Sequence, residues 1–198
     1  MSPDAIFNKF PQIETNNLVL REMELSDAEA IFKIYADNDV TKYIDLETAT
    51  DLAQAKFLVN RRVELFRSGQ RIRWGIARKD DNIIIGSCGF TQWNKNSHRA
   101  EIGYELAKKH WRKGIMTEAL ETVIYFGFQR MELNRIEALV MLENIASMTL
   151  LEKLGFQEEG ILREYGYWKG KFHDLKMFSI LKRDKLHSRV QQVSSFAD

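Results

Sequence analysis

Cysteine is nearly absent from the sequence: Cys88 is the single one among 198 residues. A disulfide within the chain is therefore excluded. Cys88 lies between Gly86 and Gly89 in an apolar segment with no evident base nearby, so a thiolate nucleophile would lack activation. We interpret Cys88 as a small residue of the hydrophobic core.

An excess of one charge and a long apolar run are lacking too. The 29 basic and 28 acidic residues leave a formal net charge of +1, so no overall field attracts nucleic acid or an anionic membrane. No apolar run approaches the roughly 18 residues of a membrane span, and residues 1–10 do not resemble a signal peptide. We expect a cytoplasmic protein without membrane or direct nucleic-acid partners.

Metal and nucleotide motifs are missing as well. The histidines, at positions 98, 110, 173 and 187, have no metal-ligand spacing. The sequence contains neither a Walker loop nor a G-x-G-x-x-G fingerprint, because Gly114 is followed by Ile115 and Met116 and is the only glycine of its turn. We therefore expect no metal, and nucleotide hydrolysis and NAD binding are disfavoured.

Hydrophobic residues make up 44% of the sequence. This content is typical of one globular domain with a sizeable core. We predict an α+β fold with a central, mixed, mostly antiparallel sheet of about seven strands flanked by about four helices. The domain is expected to cover residues 1–183. The polar residues 184–198 are expected to form a disordered tail.

Periodicity and turn signals predict the elements of this fold. Ser26 to Glu29 resembles a capping box at the start of a helix. The arginines of the second helix, Arg61, Arg62 and Arg67, are better explained by a solvated helix face than by substrate contacts. The predicted strands are 18–21, 73–78, 83–93, 99–106, 135–141, 160–168 and 173–181, and the later helices are 50–67, 117–129 and 144–154.

The segment from Arg99 to Gln129 is the most informative part of the chain. It begins with strand-like alternation, continues through a basic turn at Lys108 to Gly114, and becomes a helix from Thr117. Such a turn presents unpaired backbone N–H groups at the positive end of a helix, which suits a phosphate or pyrophosphate. An ordinary connection with solvated lysines is the alternative.

This segment resembles the acyl-CoA-binding core of the GNAT superfamily of N-acyltransferases. The family pattern Q/R-x-x-G-x-G/A covers Trp111 to Met116, where Gly114 matches and both end positions depart from it. The surrounding EIGYEL, TEAL and NIASMTLLEKLGF are similar to the ribosomal-protein N-terminal acetyltransferases of RimJ and RimL type. The similarity runs from about Leu18 to Leu181.

The resemblance implies an acetyl-CoA site. Its turn amides would hold the pyrophosphate, amides near Tyr104 to Leu106 would bind the thioester carbonyl, and Asn144 would contact the pantetheine arm. The residues assigned to cofactor binding on this basis are Tyr104, Glu105, Leu106, Arg112, Lys113, Gly114, Ile115, Met116, Thr117, Asn144 and Ser147.

Two side chains are candidates for proton transfer. Glu101 is an acid within an apolar strand, where desolvation would raise its pKa toward that of a general base. An outward-facing charge is the alternative, and Glu164 or a water chain could serve as the base instead. Ser147 is placed by the resemblance to protonate the thiolate, although a helix serine often serves packing and Asn144 is equally explained as an N-cap.

The sequence thus predicts an acetyl-CoA-dependent N-acetyltransferase that works by direct attack in a ternary complex. The leading acceptor is a protein N-terminal amine, such as that of a ribosomal protein, because an α-amine with a pKa of about 7.7–8.0 is neutral more often than a lysine near 10.4. A small-molecule amine or a non-catalytic acyl-CoA-binding regulator are the alternatives. Acyl-chain length and oligomeric state, including a homo-oligomer, are left open.

Overall fold

The computed structural model describes residues 3–185, which form one eight-stranded sheet with two helical layers. The strand order is β1-β2-β3-β4-β5-β6-β8-β7. The strands are β1 (Ile13–Glu14), β2 (Leu18–Arg21), β3 (Ile72–Arg78), β4 (Ile84–Asn94), β5 (Arg99–Leu106), β6 (Arg135–Met141), β7 (Gln157–Trp168) and β8 (Lys171–Leu181).

The helices lie between these strands. They are α1 (Ala28–Tyr35), α2 (Asn38–Thr41), α3 (Leu52–Arg67), α4 (Ile115–Arg130) and α5 (Ile145–Lys153). Short 3₁₀ turns occur at Pro3–Asn8, Leu25–Asp27 and Lys108–His110. The described residues contain no helix long and apolar enough to cross a membrane.

The mixed sheet follows the predicted topology. Strands β2 to β5 pair antiparallel in chain order, and β5 pairs parallel with β6 through the crossover helix α4. A parallel pair needs such a crossover because its connection must return to the same end of the sheet. The predicted α+β fold is confirmed.

Several details differ from the expectation. The additional strand β1 has only two residues, too few to show alternation. Helix α4 begins two residues before Thr117, at Ile115. The predicted capping box at Ser26 to Glu29 is wrong: Glu24 and Asp27 form the box instead, and it opens the 3₁₀ turn before α1.

Two hydrophobic clusters pack on opposite faces of the sheet. Ile76 of β3 belongs to the cluster that includes α4 and α5, while its neighbour Ala77 belongs to the cluster under α1 and α3. This is the alternation that a strand covered on both faces requires. Cys88 is fully buried, which confirms its interpretation as a core residue.

Two irregularities in the sheet position the site. The β5–β6 ladder ends at Glu101↔Glu137, although β5 continues to Leu106, so the strands diverge there. Opposite the same point, a bulge in β4 leaves Thr91 between Phe90↔Ile102 and Gln92↔Glu101. Bulges are common beside active sites because they redirect a side chain.

Most of the predicted tail, residues 186–198, lies outside the described residues.

Candidate active site

The basic turn ends at the N-terminus of α4 and leaves its amides accessible. Gly114 is the N-cap, has φ +76° and makes no side-chain cap. The first intrahelical bond runs from the N–H of Glu118 to the Gly114 carbonyl at 3.0 Å, so the N–H groups before it lack helical partners. A Cβ at position 114 would meet nothing within 4 Å. The turn therefore offers open space and free donors to an anion.

The predicted cofactor residues of this turn differ in exposure. Arg112, Lys113 and Gly114 are exposed, Ile115 and Thr117 are partly buried, and the Met116 side chain is buried in the core. Met116 can therefore offer only its backbone to a ligand. Trp111, at the family position for Gln or Arg, donates its indole N–H to the Leu106 carbonyl at 2.7 Å and so closes the turn against β5.

The carboxylate of Glu118 ties the first turn of α4 to the segment between β1 and β2. Glu118 accepts hydrogen bonds at 2.9 Å from the backbone N–H and the side-chain amide of Asn17, and another from the Thr15 hydroxyl. Burial alone would raise the pKa of Glu118, but the bonds from Asn17 and Thr15 lower it. The helix terminus is thereby tied to the β1–β2 turn.

Asn144 and Ser147 lie at the start of α5. Asn144 is the N-cap, and its Oδ1 accepts the Ser147 N–H at 3.2 Å. The Ser147 Oγ lies 2.7 Å from the Tyr104 Oη on β5, and burial raises the pKa of Tyr104 to about 12. Two hydroxyl groups therefore meet beside the edge of β5 that β6 has left unpaired.

Glu101 is at the end of the β5–β6 ladder and faces a cavity. Its carboxylate accepts a hydrogen bond from the Thr91 hydroxyl at 3.1 Å. Burial raises the pKa of Glu101, and the bond from Thr91 offsets this only in part. The cavity has a volume of about 580 Å³ and is lined by Gln92, Trp93, Asn94, Lys95, Asn96, Arg99, Ala100, Glu101, Glu137 and Tyr165.

Glu101 differs from Glu137, the other carboxylate that lines the cavity. Glu137 is bound by Arg99 at 3.0 Å and by Arg135 at 2.7 Å. Glu101 has no ion pair within residues 3–185. Its charge is therefore the one that an incoming amine can approach without displacing an arginine.

Glu105 lies in a buried cluster, not at the open edge. Its carboxylate accepts hydrogen bonds from Arg73, Ser87 and Tyr35 and lies 3.4 Å from Arg62. Burial would raise the pKa of Glu105, but the two arginines outweigh this and lower it. The Arg62 side chain is only 10% exposed, so the solvated-face interpretation is wrong for this arginine.

Gly103, between the two glutamates, has two side chains packed close to its backbone. A Cβ at Gly103 would lie 3.2 Å from Thr91 Cγ2 and 3.3 Å from Arg73 Nη1, closer than most neighbours tolerate. The glycine thus lets the bulge residue and the arginine approach β5. Neither Thr91 nor Arg73 was identified from the sequence, because nothing in their local pattern distinguishes them from other polar strand residues.

The structure separates the two candidate bases. Glu164 is exposed in an irregular part of β7, where its N–H donates to Asp174 at 2.7 Å, and it is not among the residues that line the cavity. Tyr165, the next residue in the chain, does line the cavity. The described residues contain no group of three or more His, Cys, Asp or Glu side chains that could hold a metal ion.

Comparison with known proteins identifies the family of the chain. The profile of the acetyltransferase (GNAT) domain matches residues 17–157. N-acetyltransferase p20 of Bacillus licheniformis, described as uncharacterised, is 44% identical over 170 residues, which cover 86% of this chain and 96% of the relative.

One further protein is similar to part of the sequence, and one solved structure is similar to the fold. The ribosomal protein uS5 alanine N-acetyltransferase of Escherichia coli K12 is 32% identical over 112 residues, 56% of this chain and 58% of that relative. RimL, a ribosomal L7/L12 α-N-protein acetyltransferase solved with coenzyme A, has a TM-score of 0.78 at 22% identity, covering 86% of this chain and 98% of RimL. The chain belongs to the GNAT family of acetyl-CoA-dependent N-acetyltransferases.

Proposed function

We propose that this enzyme acetylates the N-terminal α-amine of a protein by direct attack within a ternary complex. The observation that carries the proposal is the position of Glu101: a carboxylate without an ion pair, at the cavity and at the point where β5 loses its partner strand. An amine in the cavity would thus reach a base and the open edge of β5 together.

The residues present fit acetyl-CoA. The free amides at the N-terminus of α4, with Arg112 and Lys113 exposed beside them, would bind the pyrophosphate. The unpaired edge of β5 from Tyr104 to Leu106 would receive the pantetheine arm and the thioester carbonyl, and Asn144 would face them from α5. Acetyl-CoA supplies the acetyl group as an activated thioester. The Glu105 side chain serves this site indirectly, since its cluster fixes the end of β5.

Two proton transfers complete the reaction. Glu101 Oε1 takes a proton from the attacking amine, directly or through water, and its raised pKa brings it closer to that task. Ser147 Oγ gives a proton to the departing sulfur. Glu101 is hydrogen-bonded to Thr91 of β4 and Ser147 to Tyr104 of β5, so the two groups are held at separate positions along β5.

An α-amine suits this site better than a lysine side chain. At pH 7 roughly 9–17% of an α-amine is neutral, against about 0.04% of a lysine amine. A single carboxylate with a raised pKa can deprotonate an α-amine more readily than a lysine amine. The uS5 alanine N-acetyltransferase and RimL, an L7/L12 α-N-protein acetyltransferase, both act on ribosomal proteins, which supports the same acceptor class.

A thiol-release assay with acetyl-CoA tests this proposal. The acceptors are peptides with N-terminal alanine or serine, the same peptides blocked at the N-terminus but containing a free lysine, and small amines such as a polyamine and an amino sugar. We expect the highest kcat/KM with the free α-amines, and mass spectrometry should place the acetyl group there. A higher kcat/KM with a small amine would replace the proposed acceptor class.

A further inference from the structure

Tyr104 and Ser147 connect two elements that the sheet itself leaves apart. Tyr104 lies three residues beyond Glu101, where the β5–β6 ladder ends, and Ser147 lies in the first turn of the helix that follows β6. Their oxygens are 2.7 Å apart although the residues are 43 positions apart in sequence. This bond therefore joins the two sides of the opening between β5 and β6.

Either oxygen can donate in this bond, and the environment of the phenol favours Tyr104 as the donor. The Tyr104 side chain packs against the main core cluster, and its high pKa keeps it protonated at neutral pH. Ser147 is its only hydrogen-bond partner within the described residues. A desolvated donor without a partner costs about 1–3 kcal/mol, which favours the arrangement in which the phenol proton points to the Ser147 Oγ.

The proton of Ser147 is consequently free to point elsewhere. Serine hydroxyls within helices often bond to the carbonyl of the preceding turn, but no such bond exists for Ser147 in the part of the chain that the structure describes. Its backbone is fixed by Asn144, and its side chain is partly exposed. The position of the oxygen is thus fixed, and its proton remains available to an incoming acceptor.

We propose that Tyr104 is a positioning residue that orients the Ser147 hydroxyl and increases its strength as an acid. The inference rests on the proposed function, in which Ser147 Oγ gives its proton to the sulfur that leaves with the electron pair of the broken C–S bond. The Tyr104 O–H stabilises the negative charge that develops on Oγ, and solvent water returns the proton to Ser147. Tyr104 acts only through Ser147.

A kinetic double-mutant cycle tests this dependence. Ser147→Ala should lower kcat by roughly 100-fold, the low end for general acid catalysis, and Tyr104→Phe by roughly tenfold, one charge-stabilising hydrogen bond. The KM for acetyl-CoA should change little in either. The double variant should match Ser147→Ala, since the phenol has no target once the hydroxyl is gone. Losses that multiply in the double variant would overturn the inference.

Thermal unfolding of the free protein supplies a readout that does not depend on activity. Each single variant should lower the Tm by about 2–4 °C, and the double variant by less than the sum, because both remove one bond. Tyr125→Phe, at a half-exposed position of α4, is the control. It should leave kcat unchanged, and its change in Tm should add to that of Ser147→Ala.

The outcomes separate this inference from the proposed function. Coupled melting together with an unchanged kcat in Tyr104→Phe would overturn the inference by making the bond merely structural. Full kcat in Ser147→Ala would overturn it too, and would remove Ser147 as the acid. Acetyl transfer to α-amines by the unmodified enzyme would still stand, since the peptide assay measures it separately.

Discussion

Gly114 adopts a backbone conformation that an L-residue rarely takes, beside the amides assigned to the cofactor. Its φ is +76°, and Gly170, in the β7–β8 turn, has φ +75° with equally open surroundings. Gly114→Ala and Gly170→Ala should therefore have similar strain, about 1–2 kcal/mol each. Only the first should weaken acetyl-CoA binding, because a methyl group there stands between the amides and the pyrophosphate.

The expected size follows from one lost charged hydrogen bond, about 1.5–3 kcal/mol, which raises the Kd by roughly ten- to a hundredfold. Calorimetry with acetyl-CoA measures it, and the urea unfolding of both variants checks that their stabilities match. Equal affinities of the two variants would contradict the phosphate-binding role of the turn.

At the scale of elements, the Glu105 cluster connects α1, α3, β3, β4 and β5 through Tyr35, Arg62, Arg73 and Ser87. Glu105→Gln leaves two arginines without their counter-charge. Removing one partner of a buried pair costs about 3–5 kcal/mol, so the free energy of unfolding should fall by this amount at pH 7. Urea unfolding measures the change, with Glu64→Gln on the exposed side of α3 as control.

The loss should depend on pH in a defined direction. The pKa of Glu105 is lower in the folded state than in the unfolded state, where it is about 4.3. The ionised Glu105 therefore stabilises the fold fully above the unfolded pKa. This contribution is lost as the pH falls through the lower folded pKa. The difference between the wild type and Glu105→Gln should therefore shrink in acid. A difference independent of pH, or one as small as that of Glu64→Gln, would mean that the charge of Glu105 is unimportant.

For the whole molecule, the sequence was sufficient wherever the signal is local. The β3–β4 hairpin and the strand Arg135–Met141 follow from alternation and turn residues, and the capping residue Asn144 follows from its place before a helix. The family resemblance assigned the amides near Tyr104 to Leu106 to the thioester carbonyl, and the β5–β6 ladder ends before them, at Glu101. Local pattern and resemblance together therefore predicted the architecture.

Contacts between distant residues could not be predicted in this way. Arg62 and Glu105 are 43 positions apart, and an arginine on an amphipathic helix has the same local pattern whether it is solvated or buried against a carboxylate. The Tyr104–Ser147 bond and the bulge at Thr91 likewise depend on the register of β5. The two-residue strand β1 is too short to have a pattern at all.

Removal of the amine proton by Glu101 can be tested through the pH profile of kcat/KM for Glu101→Gln. The amide keeps the shape of the side chain but cannot accept a proton, so kcat/KM should fall by roughly 10²–10⁴-fold near neutral pH. The loss should shrink as rising pH neutralises the acceptor, and Glu164→Gln should retain the wild-type profile. An equal loss at every pH, or no loss in Glu101→Gln, would contradict the account.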